Sequence, residues 1–233
     1  MAIAEVGNAT SKASSTTPTI THGLTILAGH VIIVCLHCDG VSPTSDPADN
    51  NGATPFTLAY QAGTPDTSRY SIWYRVAGSG EPATYKWTKT SASGWSIALR
   101  VFSGVDATVW DVTPGADTGA TGTSASPSAP SVTITTDGSL GIAAFFVDSS
   151  SLTFSSPTND YGSEVEPVAG GRNEACYTKP ALAPGATGAT GVTMSGSDDW
   201  AAQQFALKPD GSTFIPTRSG GAGIGSGIAT AIL

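Results

Sequence analysis

A ten-residue run near the middle of the chain, Gly94-Trp95-Ser96-Ile97-Ala98-Leu99-Arg100-Val101-Phe102-Ser103, has a degenerate second copy near the end, Asp199-Trp200-Ala201-Ala202-Gln203-Gln204-Phe205-Ala206-Leu207-Lys208. In both copies a Trp opens a segment whose alternate residues are apolar, the period of a strand with one face in a core. Working backwards from each Trp, the same items recur in order: a polar turn, a Thr-rich strand, a Pro/Gly/Ala loop and a strand holding Tyr74 or Tyr177. Each half begins with a glycine turn and an apolar strand, Gly29 to Leu36 against Gly138 to Val147. Two copies of so long a unit do not make a solenoid, which stacks about three or more shorter ones. The chain therefore reads as an all-β, antiparallel, jelly-roll-like β-sandwich built from two pseudo-repeated halves, each covering the apolar face of the other.

The spacing sets the expected boundaries. Residues 1–16 are small and polar and read as an N-terminal arm. The sandwich spans 17–208, with halves 17–110 and 131–208, and 209–233 form a Gly/Ile-rich C-terminal arm. Strands are expected at Val31–Cys38, Phe56–Gln61, Arg69–Val76 and Thr84–Thr88, punctuated by Gly, Pro and Ser. In the first of these, Val31, Ile33 and Cys35 share one face and Ile32, Val34 and Leu36 the other, so it is expected to sit centrally, covered on both sides. The join from Val105 to Ser131 is poor in apolar residues and is expected to cross the surface.

Only 12% of the residues are charged, while Gly numbers 28 and Pro 15, a composition of short strands and tight turns rather than long helices. A formal net charge of −8 leaves no electrostatic footprint for phosphate backbones, so nucleic acid is not an expected partner. No apolar run reaches the length of a membrane span. The N-terminus lacks a basic segment followed by an apolar stretch, so Sec export is not expected.

No catalytic, cofactor or metal residues are assigned, and the chain is expected not to be an enzyme. His22, His30 and His37 lie outside any recognised nucleophile or zincin motif. Cys35 and Cys38 form a Cys-x-x-Cys, but residues three apart on a strand point to opposite faces and a second ligand pair is missing, so all three cysteines, Cys176 included, are expected as reduced buried thiols. His37 shares a strand face with Cys35, which for a strand is ordinary packing. Asp198, Asp199, Glu164, Glu166, Asp106, Asp111 and Asp148 fall at turn positions where acids are common. The Asp39–Thr54 excursion offers oxygen ligands for calcium, although Pro47 and Ala48 interrupt an EF-hand spacing. Trp95 and Trp200 read as core. Trp73, Trp87 and Trp110, with Tyr70, Tyr74 and Tyr85, are the side chains able to stack on sugars if exposed.

Over Tyr74-Arg75-Val76-Ala77-Gly78-Ser79-Gly80-Glu81-Pro82-Ala83-Thr84-Tyr85-Lys86-Trp87, Gly94-Trp95 and Phe102-Ser103-Gly104-Val105-Asp106, the chain resembles jelly-roll-like β-sandwich virion proteins of tailed bacteriophages. The resemblance covers about Thr17 to Lys208 and marks a fold more than an activity. It implies a capsid-decoration, head-fibre or tail-associated protein, located in the virion, whose partners are capsid or tail subunits and further copies of itself. The C-terminal tail fits such a role: from Gly223, Gly and Ala alternate with Ile, Ser and Thr, and Ile224, Ile228, Ile232 and Leu233 are expected to bind a neighbouring subunit as an added strand or extended arm, the alternative being that the tail folds back on its own domain. A carbohydrate-binding sandwich, with surface glycans as partner and calcium in the Asp39–Thr54 loop, is the alternative, and a hydrolase with paired acids is the third reading.

Overall fold

The computed structural model describes residues 1–40, 42–45, 55–65, 67–167 and 173–211. Its first half contains β1 (Ala4–Ser15), β2 (Thr19–Thr21), β3 (Val31–Cys38), β4 (Thr44–Ser45), β5 (Thr57–Gly63), β6 (Arg69–Val76), β7 (Thr84–Thr88) and β8 (Ser93–Ser103). After β9 (Val105–Val112) and β10 (Gly119–Ser124) come β11 (Ser128–Ala129), β12 (Thr133–Ile134), β13 (Ser139–Val147), β14 (Phe154–Ser155) and β15 (Gly162–Val165). The chain continues through β16 (Asn173–Leu182), β17 (Gly185–Ala186), β18 (Thr190–Gly191), β19 (Thr193–Met194) and β20 (Asp198–Pro209). Among the described residues the only helical turn is the 3-10 turn Ala116–Thr118.

Two large antiparallel sheets dominate. One runs β1-β8-β3-β6-β5, and the other β10-β20-β13-β16-β15 with β9 also paired to β20. Both orders place a half's last strand between its first and its long apolar one. In the first half β2-β7-β4 form a smaller sheet; in the second, the ladders β11-β18, β14-β19 and β12-β17 stand in its place. Strands one, eight, three, six and five lie in one layer, with two, seven and four in the other, an antiparallel β-sandwich.

The cores explain this layering. Val31, Ile33, Cys35, Ala98 and Phe102 of one large sheet pack on Leu140, Ile142, Ala144, Phe146 and Phe205 of the other. The opposite faces are also apolar: Ile32, Val34, Leu36, Ile97 and Leu99 pack with Tyr85 and Trp87 in one outer core, and Ala143, Phe145 and Val147 pack with Phe154 and Met194 in another. A sheet apolar on both faces must be covered twice. The two large sheets pack face to face through a central core, as expected of paired halves, and each also carries an outer core on its opposite face.

Two expectations change. Ala4–Ser15 is an edge strand paired with β8 from Ser103 to Ser93, rather than a free arm. It has few apolar side chains because an edge strand is held chiefly by its main-chain ladder. The 105–131 join supplies β9 and β10, both paired to β20, with Val105, Val109 and Ala129 buried. Glycine is needed in β10 because a Cβ at Gly122 would stand 2.6 Å from the Trp200 ring.

Candidate functional site

The alternation along β8 sends Trp95, Ile97, Leu99 and Val101 to the outer core and Ser96, Ala98, Arg100 and Phe102 inward. Arg100 is thus a cation carried into the space between the large sheets, where only 1% of its surface is exposed. Its guanidinium donates to Glu5 Oε2 at 2.8 Å, to the Cys176 carbonyl at 2.8 Å, to Thr178 Oγ1 at 3.4 Å and to the Ser163 carbonyl. The Ser163 hydroxyl donates to the same Glu5 carboxylate at 3.2 Å. One side chain of β8 therefore fastens β1, β15 and β16, across both sheets. Such a charge is tolerated in a core only when paired and hydrogen-bonded.

Glu174 and Lys12 continue this polar row. Glu174 is fully buried beside the Ser96 hydroxyl and the Ala98 amide, and burial, reinforced by Cys176, raises its carboxyl well above the usual range. Lys12 donates to Asn173 Oδ1 at 2.7 Å, and burial lowers its pKa. His37, on the same face as Cys35, sets its ring edge-on to Phe146 at 5.8 Å. Cys35 and Cys176 lie in the central core and Cys38 in an outer one, so Cys35 and Cys38 face opposite ways as strand geometry predicts, and all three are free thiols.

The groove beside Arg100, of about 300 Å³, is lined by its partners Glu5, Ser163 and Thr178 together with Ile3, Leu140 and Pro180. A neighbouring groove of about 410 Å³ shares Ile3 and Pro180 and includes Met1 and Gly211. Glu5, Ser163 and Thr178 already serve Arg100, and Asp160, also on the groove wall, faces Lys179 at 3.6 Å.

A second buried cation does the same for the outer layer of the first half. Arg75 meets Glu81 at 2.9 Å and lies 5.8 Å from the ring centres of Phe56 and Tyr85. Glu81 also accepts from the Gly78 amide and the Tyr85 hydroxyl, each at 2.8 Å. Burial pushes the Tyr85 phenol up and lowers His22, which stacks on that ring at 5.1 Å.

The carboxylates expected at turns have local partners. Asp111 accepts from the Thr135 amide at 2.9 Å and from the Thr135 and Thr136 hydroxyls, Asp106 accepts from Thr108, and Asp199 from Thr123. Glu164 accepts from the Tyr177 hydroxyl, and Glu166 is pushed up to about 7 by burial and by the neighbouring Glu164. Among the described residues no three His, Cys, Asp or Glu side chains are grouped to hold a metal ion. Most of the Asp39–Thr54 loop lies outside those residues, as do Ile224, Ile228, Ile232 and Leu233.

The aromatic side chains considered for sugar stacking point inward. Trp73, Trp87, Tyr70 and Tyr85 are buried, and the half-buried Trp110 packs edge-on against Tyr74 at 5.1 Å and Phe205 at 5.8 Å. The Arg100 cluster was not anticipated from sequence. Its signal is a charged residue inside a strand apolar on both faces, as at Arg100 and again at Glu174. No family model, curated protein or solved structure matches the chain.

Proposed function

We propose that the chain is a non-enzymatic structural protein of a virion, of the capsid-decoration, head-fibre or tail-associated kind, which binds neighbouring subunits through its C-terminal tail. The observation that carries this reading is the use of its chemistry-bearing side chains. Arg100 and Arg75 are buried and engaged by Glu5 and Glu81, and the indoles of Trp73, Trp95 and Trp200 are spent on Ser71, Ser15 and Ser124 within the sheets. A particle component is served by such a body, whose large sheets are covered on both faces. Jelly rolls recur in capsid and lectin domains alike, so the fold alone does not choose between them. The inward placement of Trp73, Trp87, Tyr70 and Tyr85 favours the structural role over sugar binding.

The test is protein identification in particles purified through a density gradient and a high-salt wash. The reading expects this chain at a fixed stoichiometry to the major capsid or tail subunit. Its absence from washed particles, with saturable binding to a glycan array, would replace the reading with the lectin one.

A further inference from the structure

Cys35 and Cys176 belong to different halves and meet in the central core. On the inward faces, the residue opposite Cys35 on β8 is Ala98, and the residue opposite Cys176 on β13 is Ala144. These small side chains let the two sheets approach closely where the thiols sit. Arg100, on the same face of β8 as Ala98, donates to the Cys176 carbonyl at 2.8 Å and pins β16 over this point. Strand β16 packs against β3 here, both thiols lie in the same central core, and neither is more than 2% exposed. Cys38 faces the opposite core and does not compete.

We propose that Cys35 and Cys176 are a disulfide-forming pair whose oxidation links the two halves through the central core. The oxidant is a small-molecule disulfide, and the step proceeds by thiol exchange. The Cys176 thiolate attacks one sulfur of the oxidant, forming a mixed disulfide and expelling one thiolate. The Cys35 thiolate then attacks the Cys176 sulfur, forming the internal bond and expelling the second. The two cysteine protons end on the two released thiols, so the oxidant is reduced by the two electrons the pair gives up. The two cysteines are interchangeable in these steps, and the balance is the same with Cys35 attacking first. Because both sulfurs are buried, exchange takes place while the sheets are parted, during folding or transient opening.

The test exposes the full chain to oxidised glutathione in mild urea, quenches with acid and measures intact mass without reductant, alongside Cys38→Ala and Cys35→Ala variants. Wild type and Cys38→Ala should each lose two hydrogens. Free thiols should fall from three to one in wild type and to none in Cys38→Ala. The oxidised protein should melt at higher temperature than the reduced form, reversibly with dithiothreitol. Cys35→Ala should form no internal bond. Only glutathione adducts on wild type and Cys38→Ala, or an internal bond persisting in Cys35→Ala, would overturn the pairing.

Discussion

Trp200 donates its indole N–H to the Ser124 hydroxyl at 3.0 Å, and Ser124 is the last residue of β10. Trp95 makes the same bond, at the same distance, to Ser15, the last residue of β1. Each Trp thus seals the end of the edge strand beside it while its ring fills an outer core, 3% exposed at Trp95 and 8% at Trp200. Truncating either to Ala should cost about 3–5 kcal/mol, the loss typical of a buried aromatic. Ser15→Ala or Ser124→Ala should cost about 1 kcal/mol, the net worth of one hydrogen bond. Urea unfolding of the four variants checks both figures, and the matched geometry predicts similar losses in the two halves.

Arg100 predicts a larger effect than either serine. Arg100→Ala takes the cation away from the Glu5 carboxylate and removes the donor to two carbonyls, so it should cost about 3 kcal/mol, the lower end for a buried pair because Ser163 and Asn8 still donate to Glu5. Arg100→Met combined with Glu5→Gln should recover part of the loss, because the uncompensated charge is gone. Denaturant midpoints of wild type, the single and the double variant provide the measurement.

The buried carboxyls set a pH dependence. Glu174 and Glu166 are both raised from a starting value of 4.5, Glu166 to about 7. Between those values the folded chain keeps protons that the unfolded chain has released, so stability falls as pH rises through the window. Glu174→Gln should flatten that fall, since an uncharged amide has no proton to lose. Melting temperatures of wild type and variant from pH 4.5 to pH 7 test the slope; the difference between them removes the opposing contribution of His22, whose lowered pKa favours the folded state as pH rises.

Much of the fold was legible where side chains alternate. The limits of β6 and β7, the opposed faces of β3 and the burial of both Trp residues follow from period-2 patterning, because a one-residue slip would expose the whole apolar set. The outer layer of the second half was not legible: β11, β12, β14 and β17 to β19 are two residues each, too short to carry a period. Edge strands β1 and β10 escaped for a related reason, being held by main-chain bonds that Ser, Thr, Ala and Gly make as well as Val. The Arg100 cluster draws on Glu5, Ser163, Cys176 and Thr178 from three separate strands, and only the folded register brings these together.

We propose that the sandwich attaches to neighbouring subunits through its C-terminal tail. Sedimentation velocity of the full chain beside a variant ending at Ser219, each with its melting curve, tests it most directly. Attachment through the tail predicts equal melting temperatures, self-association of the full chain, and its loss in the shortened one. Unchanged association after truncation, or a shortened chain that unfolds without any change in association, would contradict it.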